Sequence, residues 1–106
     1  MINIDAAAFE IKINEPGVVL LDVRTPEEFQ QAHIAKAINL NIYNEYFISD
    51  ISALDKAKSY AIYCRSGKRS QDACQIMAEL GFTNTYNLTG GIIEWVEAKK
   101  EIKKIL

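Results

Sequence analysis

Short apolar runs alternate with segments of mixed polarity along this chain. The runs are Val18–Val23, Ala37–Leu40, Tyr60–Tyr63 and Thr85–Leu88, and each has the length of a strand rather than of a helix. Strands that alternate with helical segments are typical of a parallel sheet. The pattern therefore predicts an α/β fold built on a mostly parallel sheet.

The first helical segment has a clear start signal. Thr25 can act as the N-cap, Pro26 suits the first helical position, and Glu28 can close a capping box with Thr25. We expect this helix to run to about Ala32.

Three further helices follow from the spacing of apolar residues and from helix breakers. One short helix is predicted between residues 44 and 54, where apolar residues recur at three-and-four spacing. A longer one should begin at about Arg69 and end just before Gly81. After Gly90–Gly91 breaks the chain, a last helix is predicted from about Ile92 to Lys104.

The composition is that of an ordinary globular protein. The 106 residues are 49% hydrophobic and 25% charged, which suits one domain over residues 1–106. A net charge of -2 gives no general attraction to nucleic acid or to a membrane surface, and no apolar run approaches the ~20 residues of a membrane span. Without a basic leader, we expect a cytoplasmic protein with reduced thiols and with neither nucleic acid nor membrane as a partner.

Cys64 stands at a position where chemistry is expected. It follows the run Tyr60–Tyr63 and precedes a helix, and ligands in open α/β sheets bind beyond the carboxyl ends of the strands. Ser66 and Gly67 are small enough for a tight curl in which backbone N–H groups point inward and hold an anion. The five residues after the cysteine are Arg65, Ser66, Gly67, Lys68 and Arg69.

The residues around Cys64 favour a reactive sulfur. The positive end of a helix and nearby cations stabilise a thiolate, which is the nucleophilic form of cysteine. The same surroundings attract an anionic substrate and stabilise a departing anion. We therefore predict Cys64 as the nucleophile, with residues 65–69 as its cradle and with no cofactor and no metal.

Four segments, taken in order, resemble the rhodanese-like sulfurtransferases, and in particular their single-domain members. The resemblance covers nearly the whole chain and implies a single rhodanese-like domain, with a sheet of about five strands flanked by helices on both faces. The segments are Leu21–Phe29, His33–Ile34 leading to Ala37–Asn39, Cys64–Ser70 and Gly90–Trp95.

The resemblance also implies an activity. Cys64 would attack the outer sulfur of thiosulfate, or of a related persulfide or polysulfide donor, and hold the sulfur as a persulfide. A thiol, a cyanide-like acceptor or a sulfur-carrier protein would then remove it. The backbone of residues 65–69 would cradle the persulfide, and Arg65, Lys68 and Arg69 would guide the anionic donor.

Two other functions remain open. One is a rhodanese-like interaction or regulatory module in which the chemistry has been lost. The other is a dual-specificity-type phosphatase, since that group shares the fold. Its catalytic loop has five residues between the cysteine and an arginine that grips phosphate, but here Ser70 occupies the position of that arginine.

Several residues near these segments have a structural interpretation. His33, the single histidine, is expected at a helix end, and Cys74 and Trp95 are expected in the core rather than in redox chemistry or the pocket. In the family a Pro-Gly pair commonly follows the His-Ile pair, whereas Ala35–Lys36 stands here, so the local turn is in question.

The resemblance further implies that Asp22 and Arg24 tie a strand, a helix and the active loop together through ion pairs. Near the end of the chain, four lysines are interpreted as complementing the dipole of the last helix and solvating an exposed face. They are Lys99, Lys100, Lys103 and Lys104.

Overall fold

The computed structural model describes residues 1–104, and within them a five-stranded sheet forms the centre of the molecule. Its strand order is β1-β6-β5-β2-β4, and every neighbouring pair is parallel. The predicted mostly parallel sheet is confirmed. Two short strands, β3 and β7, pair antiparallel apart from this sheet. The strands are β1 Ile2–Ile4, β2 Val18–Asp22, β3 Ala32–His33, β4 Ile38–Asn39, β5 Ser59–Tyr63, β6 Thr85–Leu88 and β7 Lys103–Lys104.

Helices cover both faces of the sheet, as expected. The side chains of β5 alternate, so Tyr60 and Ile62 enter one core while Ala61 and Tyr63 enter the other. The first core lies under α3 and α4, and the second lies under α1 and α5. The helices are α1 Ala6–Ile13, α2 Pro26–Gln31, α3 Phe47–Ser52, α4 Lys68–Glu79 and α5 Gly91–Glu97.

The predicted start of α2 is confirmed in detail. The Thr25 hydroxyl accepts from the Glu28 amide at 3.3 Å, and the Glu28 carboxylate accepts from the Thr25 amide at 3.2 Å. Pro26 is the first helical residue. This reciprocal cap satisfies two backbone donors that a helix start otherwise leaves open.

The predicted extent of the last helix is wrong. Helix α5 ends at Glu97, because Lys99 takes a left-handed conformation with φ of 60° and the Lys100 amide turns back to the Trp95 carbonyl at 3.1 Å. This is the hydrogen-bond pattern that closes many helices. The chain then continues into β7, which pairs with β3.

Because α5 ends early, the role expected for the four lysines near the end of the chain is also corrected. Lys103 and Lys104 form β7, so they do not lie in a last helical turn and do not complement its dipole. Lys100 instead forms an ion pair with Glu10 of α1 at 2.7 Å.

The first residues, for which no element is predicted, form β1 and α1. Strand β1 adds to the edge of the sheet beside β6. Asp5 caps α1, since its carboxylate accepts from the Ala8 amide at 2.9 Å. An aspartate before three alanines is a readable helix start, and it was the signal available here.

The turn after His33 has an unusual backbone. Lys36 has a φ of 73°, a left-handed conformation that costs a non-glycine residue roughly 1 kcal/mol. The Ala37 amide closes the turn on the Ile34 carbonyl at 3.1 Å. The turn thus forms without the glycine that is common at this point in the family.

Among residues 1–104, no helix combines the length and the apolar character needed to cross a membrane.

Candidate active site

Cys64 lies directly beyond the carboxyl end of β5, at the centre of the sheet. Its sulfur accepts a hydrogen bond from the Gly67 amide at 3.1 Å and lies 3.3 Å from the Ser70 hydroxyl. The residue is only 1% exposed. The single proton of that hydroxyl can go either to the sulfur or to the Gly67 carbonyl oxygen at 3.2 Å, so a thiolate here would be held by one fixed donor, the Gly67 amide, and by one rotatable donor.

Gly67 shapes the loop at the start of α4. Its φ is 105°, and a Cβ added there would overlap the carbonyl oxygen of Thr89. Only glycine combines this backbone conformation with so close an approach. The curl predicted for Ser66 and Gly67 therefore depends on Gly67 in particular, which points its amide at Cys64.

The start of α5 holds the loop from the other side. The Ile92 amide donates to the Cys64 carbonyl at 2.9 Å, and the Ile93 amide donates to the Arg65 carbonyl at 3.2 Å. Gly91 has a φ of 64°, and a Cβ there would overlap the Arg65 carbonyl. Two otherwise open amides of a helix start are thus used to fix the loop.

The three cations of the loop differ in what they contact. Arg65 is exposed and forms no ion pair with any residue between 1 and 104. Lys68 pairs with Asp72 at 3.0 Å, but its side chain is 77% exposed, so this pair contributes little. Arg69 is held by the Glu28 carboxylate through two hydrogen bonds, of 2.7 and 2.9 Å.

The Glu28–Arg69 pair joins α2 to α4 beside the loop. The hydrogen bonds from Arg69 hold the pKa of Glu28 down at about 2, and the same bonds raise the pKa of Arg69. Both side chains are mostly buried. Glu28 therefore has two roles, since it also closes the capping box of α2.

Asp22 and Arg24 form a second ion pair, which is fully inside the protein. Arg24 reaches the Asp22 carboxylate at 2.7 Å and the Ala32 carbonyl at 2.6 Å, and its guanidinium lies 5.6 Å from the centre of the Tyr63 ring. Asp22 is 0% exposed. This pair connects the end of β2 to the end of α2, whereas the ion pair that reaches the active loop is Glu28–Arg69.

Sequence reasoning missed three contributors to the site. The sequence places Ser70 at the position of a phosphatase arginine and does not predict that its hydroxyl lies 3.3 Å from the sulfur. It predicts Glu28 as a capping residue and Gly91 as a helix breaker, without their contacts to the loop. Their spacing along the chain carries no signal for these contacts, because Glu28 and Arg69 are separated by 41 positions.

Cys74 lies in the core and His33 follows the end of α2, as expected for residues with a structural role. Cys74 is 0% exposed in α4, and burial raises the pKa of its thiol to about 12. The His33 ring stacks on Phe29 with 3.9 Å between the centres, and its Nδ1 lies 2.9 Å from the Phe29 carbonyl oxygen. Trp95 is 3% exposed and packs edge-on against Phe9.

An open groove of about 580 Å³ lies between α2 and α5, with the Arg65 side chain on its wall. The rest of the wall is largely apolar and includes Ile93 and Val96, which are 40% and 48% exposed. A small organic molecule fits such a volume. Its lining also includes Glu28 of the ion pair described above.

Comparison with known proteins gives a consistent family assignment. The family model described as a rhodanese-like domain matches residues 5–98. A sulfurtransferase of Allochromatium vinosum is 40% identical over 78 residues, which cover 74% of this chain and 71% of that protein. The thiosulfate:glutathione sulfurtransferase of Saccharomyces cerevisiae is 33% identical over an alignment of 110 positions, which covers 89% of this chain and 79% of the yeast protein.

Some relatives carry a different name. The tRNA uridine(34) hydroxylase of Pelagibacter ubique is 31% identical over 103 residues, but these cover 96% of this chain and only 33% of that enzyme. Solved structures agree on the fold. A rhodanese-related protein from Thermoplasma volcanium superposes with a TM-score of 0.79 at 31% identity, covering 97% of this chain and 98% of that one.

Proposed function

The chain belongs to the rhodanese-like sulfurtransferase family, and on that premise we propose that it transfers a sulfane sulfur through a persulfide on Cys64. The donor is thiosulfate or a related persulfide or polysulfide, and the acceptor is a thiol, a cyanide-like anion or a sulfur-carrier protein. The observation that carries the proposal is the sulfur of Cys64 with two donors directed at it.

The first half-reaction is a displacement at sulfur. The Cys64 thiolate attacks the outer sulfur of thiosulfate, a bond forms between the two sulfurs, and the bond to the SO₃ group breaks with its electron pair leaving as sulfite. The Gly67 amide and the Ser70 hydroxyl contact Sγ, so they stabilise the thiolate before the attack and lie on the inner sulfur of the resulting persulfide. The step needs no separate oxidant or reductant, because thiosulfate supplies the transferred sulfur at the sulfane level and leaves as sulfite.

The second half-reaction returns the enzyme to its starting form. An acceptor thiolate attacks the outer sulfur of the persulfide, takes it as a new persulfide, and leaves Cys64 as the thiolate. Two displacements in turn are the basis of ping-pong kinetics. The groove between α2 and α5 supports a small organic thiol as acceptor, because it lies beside the loop and has an exposed cation on its wall.

Arg65 is the cation we assign to donor capture. It is exposed and unpaired within residues 1–104, whereas Arg69 is held by Glu28 and Lys68 extends toward solvent and Asp72. An unpaired guanidinium attracts an oxyanion strongly and can bind it through two parallel hydrogen bonds. The relative named thiosulfate:glutathione sulfurtransferase supports the choice of an oxyanion donor and a thiol acceptor.

Intact-mass measurement tests the proposal directly. Wild-type protein incubated with thiosulfate is expected to gain one sulfur atom and to lose it on addition of glutathione, while Cys64→Ser gains none. Cys74→Ala is the matched control and should gain sulfur as the wild type does. If the wild type takes up sulfur neither from thiosulfate nor from a protein persulfide donor, the proposal is wrong and a non-catalytic interaction module replaces it.

Phosphatase activity is the less favoured alternative. A phosphatase of this fold grips phosphate with an arginine at the position of Ser70, and here that side chain is a hydroxyl in contact with the sulfur. The short loop supports one sulfur atom rather than a tetrahedral group. Hydrolysis of an aryl phosphate by the wild type and not by Cys64→Ser would reverse this preference.

A further inference from the structure

The positive charge around Cys64 is smaller than the sequence suggests. Three cations follow the cysteine within five residues, but Arg69 and Glu28 form a paired unit with no net charge. The pair has two nearly parallel hydrogen bonds, and the side chains are 19% and 27% exposed. Water therefore screens the pair only in part.

Arg69 lies within electrostatic range of the reactive sulfur. It precedes Ser70, whose hydroxyl contacts Sγ, and both residues lie in the first turn of α4. The pKa of Arg69 is raised mainly by Glu28 and to a smaller extent by the charge on Cys64. A dianion bound at the sulfur would interact with this guanidinium, and also with the carboxylate that neutralises it.

We propose that Glu28 is a specificity-determining residue, which sets the preference between doubly and singly charged sulfur donors by neutralising Arg69. The inference rests on the sulfurtransferase function proposed above. Glu28 acts through Arg69 and does not touch the donor, so it is a positioning residue in this reaction. With Arg69 neutralised, Arg65 remains as the unpaired cation of the loop within the described residues, which limits the advantage of a dianionic donor.

The structure offers a substitution that separates charge from helix capping. Gln replaces Glu in capping boxes, so Glu28→Gln keeps an acceptor for the Thr25 amide and removes the charge that neutralises Arg69. Thr25→Ala is the matched control, because it removes the capping hydroxyl together with its hydrogen bond to Glu28 Oε1 and keeps both charges of the ion pair.

Two donors of different charge form the test. Thiosulfate is a dianion and benzenethiosulfonate is a monoanion, and each gives Cys64 the same outer sulfur with sulfite or benzenesulfinate as the leaving group. The attraction to a newly uncovered charge scales with the charge of the donor. At low ionic strength, Glu28→Gln should lower KM for thiosulfate about tenfold and KM for benzenethiosulfonate about threefold.

The unequal change in the two KM values is the decisive readout, because a loosened loop would change the KM values of both donors by the same factor. Arg69→Gln should raise KM for thiosulfate more than that for benzenethiosulfonate, because it leaves Glu28 unpaired. The double variant Glu28→Gln/Arg69→Gln should return the ratio of the two KM values to that of the wild type. Thr25→Ala should lower the melting temperature without moving the ratio.

Equal shifts for both donors in Glu28→Gln, or a higher KM for thiosulfate, would overturn the inference while sulfur uptake still supports the sulfurtransferase function. If Glu28→Gln does not fold, failure of the double variant to reverse the effect of Arg69→Gln overturns it in the same way. Absence of sulfur uptake by the wild type from either donor removes the proposed function and this inference together.

Discussion

The two cysteines share one core cluster and are equally hidden, yet their surroundings differ. Cys64 is 1% exposed and Cys74 is 0% exposed, and both have free thiols. Cys64 lies at a strand end, where an amide and a hydroxyl point at its sulfur. Cys74 lies inside a helix, where burial dominates and raises the pKa of its thiol to about 12. Burial alone therefore does not distinguish the two sulfurs, whereas the donors around them do.

The difference comes from which backbone amides remain available. Within α4 the amides are used by helical hydrogen bonds, so none is left to stabilise a charge on Cys74. At the start of the same helix the amides have no helical partner, and the curl at Gly67 turns one of them toward Cys64. The beginning of a helix thus offers amides to a nearby sulfur, and the middle of a helix does not.

Replacing each cysteine in turn by alanine gives the largest expected difference in the rate of sulfur transfer. Cys64→Ala should reduce sulfur transfer to background, because no nucleophile remains. Cys74→Ala should keep the transfer rate and lower the free energy of unfolding by about 1 to 2 kcal/mol through the cavity it leaves. Sulfite release and urea unfolding measure the two effects. A loss of transfer in Cys74→Ala with intact folding would give Cys74 a role in the chemistry.

Gly67→Ala tests the backbone that aims the amide at Cys64. The added Cβ would overlap the Thr89 carbonyl, and the φ of 105° disfavours any side chain. The loop must shift, and we expect the rate of persulfide formation to fall roughly 100-fold. Stopped-flow measurement of sulfite release gives the rate. Retention of the wild-type rate in a folded variant would show that the Gly67 amide is dispensable.

Ser70→Ala should slow sulfur transfer by Cys64 less than Gly67→Ala does. It removes the hydroxyl that lies 3.3 Å from Sγ, and loss of one such hydrogen bond should slow transfer about fivefold to tenfold. The counterpart on the Cys74 side is Thr85→Val, since Thr85 is a buried hydroxyl residue that opposes the rise in the pKa of the Cys74 thiol. It should leave transfer unchanged. Equal slowing in both variants would indicate a general effect of core packing instead.

The smallest expected effect is the pH dependence of the stability that the Glu28–Arg69 ion pair contributes beside the Cys64 loop. Because the pKa of Glu28 is lowered from 4.5 to about 2 in the folded state, its contribution to stability is present above about pH 4.5 and is lost as the pH falls toward 2. For a pair that is partly exposed we expect about 1 kcal/mol. Wild type and Glu28→Gln should therefore differ in free energy of unfolding at pH 6 and converge near pH 2. A constant difference would indicate that the carboxylate is not stabilised by Arg69.

Local features of the chain were predictable because neighbouring residues decide them. The capping box at Thr25, the run of strand Tyr60–Tyr63 and the helix that stops before Gly81 all depend on contacts within a few positions. The position of Cys64 between a strand and a helix belongs to the same class. Each could be predicted from spacing and residue type alone.

The sequence did not indicate where the last helix stops or which partner Arg69 takes. Lys99 is not a typical helix terminator, and the chain leaves the helix there to pair β7 with β3. The neutralisation of Arg69 depends on α2 and α4 meeting beside the loop.

The sequence by itself predicted strands β2, β4, β5 and β6 and helices α2 to α5 apart from the end of α5. It also nominated Cys64 as the candidate nucleophile and identified the small residues that allow its loop to curl. Only the tertiary structure decided which cation of that loop remains unpaired and which of two buried cysteines has donors directed at it. The physical reason is the separation along the chain over which each kind of interaction acts. Capping and periodicity act between neighbours in the chain, whereas charge pairing and close backbone approach act between segments that meet only after folding.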